Sequence, residues 1–262
     1  MNILFIGDIV SKVGRQMCER YIPILRNKYD IDVVIANGEN VAHGKGINAS
    51  LYNKLLSFGI DIITMGNHFA SKMESNTFYK NAEKLVRPLN IDKIAPGLGS
   101  RVFDVKGVKL RVTNILGRVF INELSPSNPY DAMDNLLENC NEDFHFVDFH
   151  AEATAEKMAF GWNYDGKISC LIGTHTHVQT ADERILPQGT GYLTDAGMTG
   201  ASDGIIGARR ETMIYRNKTG FPAKYEVQEG SGQLNGCVIT LDENGKTTSI
   251  KRIFISDFRK DY

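Results

Sequence analysis

Short, continuous apolar runs recur along the first part of the chain, each closed by polar or turn-forming residues. Ile3-Leu4-Phe5-Ile6 ends in Gly7-Asp8, Val33-Val34-Ile35-Ala36 in Asn37-Gly38-Glu39-Asn40, and Ile62-Ile63-Thr64-Met65 in Gly66-Asn67-His68. Runs of this length without alternation are the pattern of strands buried on both faces. Between them the spacing predicts a helix over residues 15–27, limited or kinked by Pro23. A short helix follows, capped by Ser50, carrying Leu51, Leu55 and Phe58 and closed by Gly59. Residues 71–93 are polar and mixed, with Tyr79, Leu85 and Val86 at helical spacing. Residues 102–112 alternate around Lys106-Gly107, which predicts a hairpin.

Ser125-Pro126-Ser127-Asn128-Pro129 reads as a loop before a helix over residues 130–137. Phe146-Val147-Asp148-Phe149 predicts a strand ending in His150, residues 151–159 a helix, and residues 168–172 a strand leading into Gly173-Thr174-His175-Thr176-His177. Gly191-Tyr192-Leu193-Thr194 and a glycine-rich stretch over 197–207 come next. Residues 238–241 and 250–255 read as paired strands joined by Asp242-Glu243-Asn244-Gly245. Strands alternating with helices indicate an α/β fold, with antiparallel strands added later in the chain.

Composition narrows the class. The 262 residues are 42% hydrophobic and 23% charged, ordinary for a globular enzyme, and fit one large domain. With 30 basic against 31 acidic residues the net charge is −1, which gives no electrostatic case for a protein that coats nucleic acid or a membrane surface. A small nucleotide bound locally is compatible with that balance. Cys18, Cys140, Cys170 and Cys237 form no C-x-x-C pair, and three lie in or beside apolar runs, so buried free thiols in a reducing cytosol are expected. The apolar run at the N-terminus lacks a basic flank and is too short for a signal peptide, and no run approaches a membrane span. The expected location is cytoplasmic.

Chemistry concentrates at the ends of the apolar runs. Four of the six histidines fall there: His68, His150, His175 and His177. Asp8, Glu39, Asn40 and Asn67 occupy the same positions on their runs. In open α/β sheets ligands sit beyond the carboxyl ends of the strands, so parallel neighbours would open all five loops onto one rim. In an extended segment residues i and i+2 point the same way, which would let His175 and His177 converge. A closed zinc site needs four ligands, and there are more candidates than that here. A carboxylate such as Glu39 can bridge two ions, and paired ions clamp the attacking and leaving oxygens of an in-line phosphoryl displacement. Oxygen and imidazole ligands without thiolate suit manganese, iron or zinc and disfavour calcium.

Gly7-Asp8, Asn37-Gly38-Glu39-Asn40, Gly66-Asn67-His68, His150 and Gly173-Thr174-His175-Thr176-His177 resemble the ordered motif blocks of the calcineurin-like metallophosphoesterases. The departures are Val10 where a histidine is common, Phe69 where an acid often follows G-N-H, and Glu39 in place of the bridging aspartate. They are similar to the YmdB-type branch, the 2′,3′-cyclic-nucleotide 2′-phosphodiesterase family. Asp148-Phe149-His150-Ala151-Glu152-Ala153-Thr154, Thr176-His177-Val178-Gln179-Thr180-Ala181-Asp182 and Asp195-Ala196-Gly197-Met198-Thr199-Gly200 carry the same resemblance, which runs from residue 2 to about 255.

The resemblance implies a single domain over 1–262: a metallophosphoesterase sandwich of mixed β-sheets flanked by helices, with residues 70–95 the candidate for a small cap. It implies that Asp8, Glu39, Asn40 and His177 hold one metal and Glu39, Asn67, His150 and His175 the other. Iron is the expected metal, manganese the alternative, and zinc ranks behind both. The implied reaction opens 2′,3′-cyclic nucleotides to 3′-nucleotides by in-line attack of a metal-bound hydroxide, with His68 as the general acid. The expected partner is a small cyclic nucleotide or an RNA-derived phosphodiester, with no membrane and with a homo-oligomer left open. A phosphomonoesterase, an enzyme acting on RNA ends and a regulatory scaffold of the same fold are the competing readings.

Other residues carry two readings each. Asp148 lies in an apolar strand, as a buried partner of a ligand histidine or as an exposed sheet position. Thr174 and Thr176 shape the loop around the histidines. Arg15 and Lys45 are phosphate contacts or solvated charges. Phe69, Trp162 and Tyr164 are base-stacking platforms or core. The glycines between 197 and 207 bring backbone close to the site or an oligomer partner, or only turn the chain. His145 precedes its strand and is expected at the surface on the opposite edge. His43 lies in a glycine-rich loop, near the site or solvated.

Overall fold

Alternation within the first apolar run sets the layering. In β1 (Asn2–Ile6), Leu4 and Ile6 face one apolar cluster while Ile3 and Phe5 face another, and all four are wholly buried. The computed structural model describes residues 1–72 and 76–257. After β1 come β2 (Asp8–Ile9), α1 (Ser11–Lys28), β3 (Val33–Asn37), α2 (Ala49–Ser57) and β4 (Ile62–Thr64). A 3-10 turn over Phe69–Lys72 leads to α3 (Asn76–Asn81), β5 (Leu85–Val86) and the hairpin of β6 (Ser100–Val105) and β7 (Val108–Leu116). Then follow α4 (Pro129–Leu137), β8 (Phe144–His150), α5 (Thr154–Asn163), β9 (Cys170–Thr174), β10 (Arg184–Ile185), β11 (Gly191–Leu193) and β12 (Met198–Ala201). The described chain ends with α6 (Arg210–Thr219), β13 (Gly232–Leu241) and β14 (Thr247–Ser256).

The strands form two mixed sheets. One runs β2-β12-β13-β1-β3-β4-β5 with β14 paired to β13, and the other runs β10-β11-β9-β8-β7-β6. In the first, β1, β3, β4 and β5 are parallel; in the second, β7, β8, β9 and β11 are. The inner cluster lies between the sheets. Ile3, Phe5, Val33, Ile35 and Ile62 meet Leu110, Val112, Phe146, Cys170 and Ile172 there, with the Phe5 and Phe146 rings 5.1 Å apart. A second cluster packs the outer face of the first sheet on Met17, Cys18, Ile22 and Leu25 of α1 and Leu55 of α2. A third packs Val147, Phe149 and Leu171 on Met133 of α4 and Phe160 of α5. The architecture is helix, sheet, sheet, helix. No helix among the described residues is long and apolar enough to cross a membrane.

Several boundaries differ from the sequence pattern for local reasons. The first helix begins at Ser11 and runs through Pro23, which is exposed, so water can serve the backbone group that proline leaves unpaired while buried Ile22 and Leu25 hold the turn. The cap of α2 is Asn48 and not Ser50: the Asn48 side chain accepts from the Leu51 N–H at 2.9 Å. Among the described residues of 70–95, the candidate cap joins the flank of the first sheet. Tyr79, Ala82 and Leu85 are buried in its outer cluster, β5 is an edge strand, and none of these residues lines the candidate site. Residues 73–75 of that stretch lie outside the described residues. The glycine-rich stretch contains β12, paired to β2 and β13. α6 carries no apolar stripe to betray it, and none of its side chains is buried.

Candidate metal centre

The carboxyl ends of parallel strands from both sheets meet at one point. Asp8 sits in β2, Glu39 and Asn40 follow β3, and Asn67 and His68 follow β4. His150 closes β8, and His175 and His177 follow β9. The strands are therefore not neighbours in one sheet, and the rim is a seam between two.

One group of ligand atoms centres on wholly buried His150. Its Nε2 lies 2.9 Å from Asn67 Oδ1, 3.0 Å from His175 Nδ1 and 3.2 Å from Glu39 Oε1. One ligand atom each from Glu39, His150 and His175 fall within 4.8 Å of one another. The protonation of the rings follows from their outer contacts. The Thr174 hydroxyl donates to Asp148 Oδ1 at 2.6 Å, so it accepts from His150 Nδ1 at 2.9 Å, and His150 Nδ1 carries a proton. His175 Nε2 faces the Glu152 carboxylate at 3.1 Å, which places its proton there and turns the Nδ1 lone pair inward. Four electron-rich atoms thus converge on a space that demands positive charge.

The ionisation of the group states the same demand. Burial alone would raise Glu39, but the adjoining His150 holds it well below the usual carboxylate range. Burial would lower His150, yet Glu39, Asp8 and Asp148 push it up to about 9. Burial, then the charge on His150, brings His175 down to about 3. A proton on His150 Nε2 is one cation that satisfies these acceptors; a divalent metal is another, and the mixed oxygen and imidazole set fits it.

The second group surrounds Asp8, wholly buried and raised by that burial against the pull of His177 and His150. Its Oδ1 has no hydrogen-bond partner among the described residues and stands 3.9 Å from His177 Nε2. Asn40 Nδ2 reaches both His177 Nε2 and Glu39 Oε1 at 3.1 Å, so Glu39 touches both groups. His177 Nδ1 donates to the Ile206 carbonyl at 3.0 Å, which leaves its Nε2 lone pair facing Asp8 and Asn40.

His175 and His177 do not converge by strand alternation. β9 ends at Thr174, and both histidines hold positive φ, 101° and 66°, a conformation costing roughly 1–3 kcal/mol per residue. Four contacts hold the turn. His175 N–H donates to Asp8 Oδ2 at 3.2 Å, Thr176 N–H to Asp195 Oδ2 at 3.1 Å, His177 to Ile206, and buried Lys157 Nζ to the Thr174 carbonyl at 2.8 Å. Lys157 also pairs with Asp195 Oδ2 at 2.7 Å, both side chains being wholly buried. Gly66 and Gly173 admit no side chain: a Cβ at Gly66 would strike Glu39 and His150, and one at Gly173 the Thr194 carbonyl.

Asp148 is buried, not exposed. It accepts from Thr174, from Asn37 Nδ2 at 3.0 Å and from the Thr64 hydroxyl at 2.5 Å, and so ties the two sheets together beneath His150. Burial pushes its carboxyl up to about 6. His145 lies at the far end of β8 from His150 as expected, but it is buried rather than superficial, 2.8 Å from the Thr113 hydroxyl, and burial brings it down to about 3. Arg15 bonds the Val41 carbonyl at 2.6 Å and lies away from the cleft. Phe69 and Tyr164 are core, and Trp162 is exposed outside the cleft. His43 is exposed, and it too lies outside the cleft lining.

A cleft of about 490 Å³ opens over the ligand groups. His68 enters it half-buried. Its N–H donates to Glu39 Oε2 at 3.0 Å, its ring makes no hydrogen bond among the described residues, and burial lowers its pKa. Lys45, Phe120, Glu123, Arg216 and Tyr225 line the walls, and of these the sequence pattern marks only Lys45. Glu152, Lys157 and Asp195 also go unmarked as site residues. Lys157 carries a signal: it falls on the buried face of α5 with Phe160 and Gly161, where a lysine needs a partner.

Two mixed sheets packed between helical layers, with carboxylate, amide and imidazole groups at the ends of their parallel strands, define a metallophosphoesterase. A 5′-nucleotidase precursor from Thermus thermophilus shares the fold alone, at TM-score 0.59 and 11% identity, covering 97% of this chain and 54% of that one. Within that class the chain belongs to the YmdB-like protein family, which matches residues 4–253. It is 47% identical over 260 residues to the 2′,3′-cyclic-nucleotide 2′-phosphodiesterase of Bacillus subtilis (strain 168), covering 98% of each. It also superposes at TM-score 0.94 on the crystal structure of a novel phosphatase from Mycoplasma pneumoniae, at 38% identity, covering 98% of this chain and 93% of that one.

Proposed function

We propose that residues 1–262 form one metallophosphoesterase domain that hydrolyses 2′,3′-cyclic nucleotides to 3′-nucleotides by cleaving the P–O2′ bond. The observation that carries the reading is the convergence of Glu39, Asn67 and His175 on His150 Nε2, beside the unpartnered Asp8 Oδ1. Asp8, Glu39, Asn40 and His177 would hold one metal and Glu39, Asn67, His150 and His175 the other, with iron in both places, manganese the substitute and zinc ranked behind. Such ions, when bound, would neutralise charge on the phosphate and lower the pKa of bound water toward neutrality. The 47% identity to a phosphodiesterase supports the substrate class. Buried free thiols at Cys18, Cys170 and Cys237 suit a reducing cytoplasm.

The protein's own groups divide the remaining work. Glu152, the Ile206 carbonyl and the Thr174–Asp148 pair fix the ring orientations of His175, His177 and His150. Lys157 and Asp195 hold the turn that presents two of those rings. His68, with its backbone fixed on Glu39 and its ring in the cleft, protonates the O2′ leaving group.

The test is metal analysis joined to product analysis. Wild-type protein should hold stoichiometric metal and convert 2′,3′-cyclic AMP to 3′-AMP. His68→Ala should keep the metal and lose turnover by about 10²–10⁴-fold. Wild-type rates in that variant would remove His68 as the acid. Protein lacking both metal and turnover would be the scaffold, and release of phosphate from monoesters alone would replace the substrate.

A further inference from the structure

The loop between β7 and α4 forms one wall of the cleft and carries two side chains that nothing else in the fold uses. Phe120 is 81% exposed, and its φ of 62° is left-handed, whereas the next residue, Ile121, is 5% exposed. An aromatic ring held in water by a disfavoured backbone conformation is doubly unfavourable for the isolated protein. The loop is nevertheless well anchored. Glu156 accepts from the N–H of Arg118 and Val119 at 2.8 and 3.4 Å, and Asn90 donates to the carbonyls of Leu116 and Ser127 at 2.8 and 2.9 Å. Phe120 is therefore presented, not frayed.

Glu123, three residues on, is exposed in the same cleft and makes no hydrogen bond or ion pair among the described residues. Its charge reaches His68, as does that of Lys45, yet Lys45 and Glu123 do not pair. The cleft lining also includes Arg216, without a side-chain partner among the described residues, and Tyr225, whose ring already lies over Gly44. The loop thus offers the cleft an aromatic face and a carboxylate, and Lys45 and Arg216 offer it cations.

These groups match the parts of a nucleotide. Resting on the function proposed above, O2′ lies at His68, and the base hangs from C1′, the carbon next to C2′, within the same cleft that Phe120 and Glu123 line. Lys45 and Arg216 are the cations in that lining that suit phosphate. We propose that Phe120 and Glu123 form the nucleobase subsite and that the base it selects is guanine. Aromatic side chains stack on any base, so Phe120 supplies affinity without choice. A carboxylate only accepts hydrogen bonds. Guanine alone presents two adjacent donors, N1–H and N2–H, on its Watson–Crick edge, whereas adenine and cytosine place an acceptor beside their amino group and uracil flanks its N–H with two carbonyls.

The experiment measures kcat and KM for the 2′,3′-cyclic phosphates of guanosine, adenosine, cytidine and uridine. The wild type should favour guanosine in kcat/KM by about tenfold, the worth of one charge-assisted pair. Phe120→Ala should raise KM for all four by roughly 5–150-fold with little change in kcat. Glu123→Gln should collapse the guanosine-to-adenosine ratio about tenfold, because an amide repels one of guanine's two donors. Equal kcat/KM for the four bases in the wild type, or an unchanged ratio in Glu123→Gln, would overturn the subsite. Failure to turn over any of the four would instead defeat the function on which it rests.

Discussion

Lys157→Met tests how the site is held. The substitution keeps an apolar stem of similar length and removes a charge and two donors, those to Asp195 Oδ2 at 2.7 Å and to the Thr174 carbonyl at 2.8 Å. Breaking a buried pair by removing one partner costs about 3–5 kcal/mol, because the other charge stays buried. Asp195 keeps the N–H groups of Thr176 at 3.1 Å and Gly197 at 2.8 Å, which sets the loss at the lower end, about 3 kcal/mol. At roughly 2–4 °C per kcal/mol for a chain of this size, Tm falls by about 6–12 °C. The turn bearing His175 and His177 loses its anchor as well, so manganese affinity should drop about tenfold or more. Urea unfolding gives the first number and calorimetric titration with manganese the second. The double variant Lys157→Met/Asp195→Asn removes both charges and should cost at least about 1 kcal/mol less than the sum of the singles. A loss below about 1 kcal/mol for the single, or strict additivity in the double, would refute the reasoning.

Glu152→Gln should weaken manganese binding about tenfold, since it loses the carboxylate that sets the His175 proton; competition against a metal-sensing dye reads this, and unchanged affinity would free Glu152 of the role. His145 predicts a pH dependence of stability. Its folded pKa of about 3 lies below the unfolded value near 6.5, so the unfolded chain binds the extra proton, and stability is full above pH 6.5 and lost as pH falls toward 3. Between pH 7 and 5 the loss is about 2 kcal/mol, and His145→Gln should remove that part of the slope in urea titrations at the two values.

Much of the site was legible because its residues follow apolar runs too short to hide them. Asp8, Glu39, Asn67, His150 and His175 each stand at or just past the end of a strand that its own hydrophobicity announces. The partition of those strands between two sheets was not legible, because a run buried on both faces looks the same whether its second face meets a helix or another sheet. Alternation in β1 resolves this only once the partners of Ile3 and Phe5 are known. The support of the site was half legible. Asp148 and His150, two apart in a strand, share a face, and that spacing places the carboxylate beneath the imidazole; the Thr174 hydroxyl between them comes from the next strand, at the register partner of His150. Phe120 escaped notice because its exposure depends on a left-handed backbone residue, which no hydrophobic pattern records. α6 escaped because it buries nothing.

The meeting of Asn67 and His150 has a consequence for the chain as a polymer. The two residues are 83 apart in sequence, Asn67 just past a strand of one sheet and His150 at the end of a strand of the other. An ion ligated by both is a removable cross-link, and closing a loop of that length would restrict the unfolded chain by about 4.5 kcal/mol, as much as a disulfide. Loading such a centre would therefore do to this thiol-only protein what oxidation does to a secreted one: it would rivet the two halves of the sandwich together.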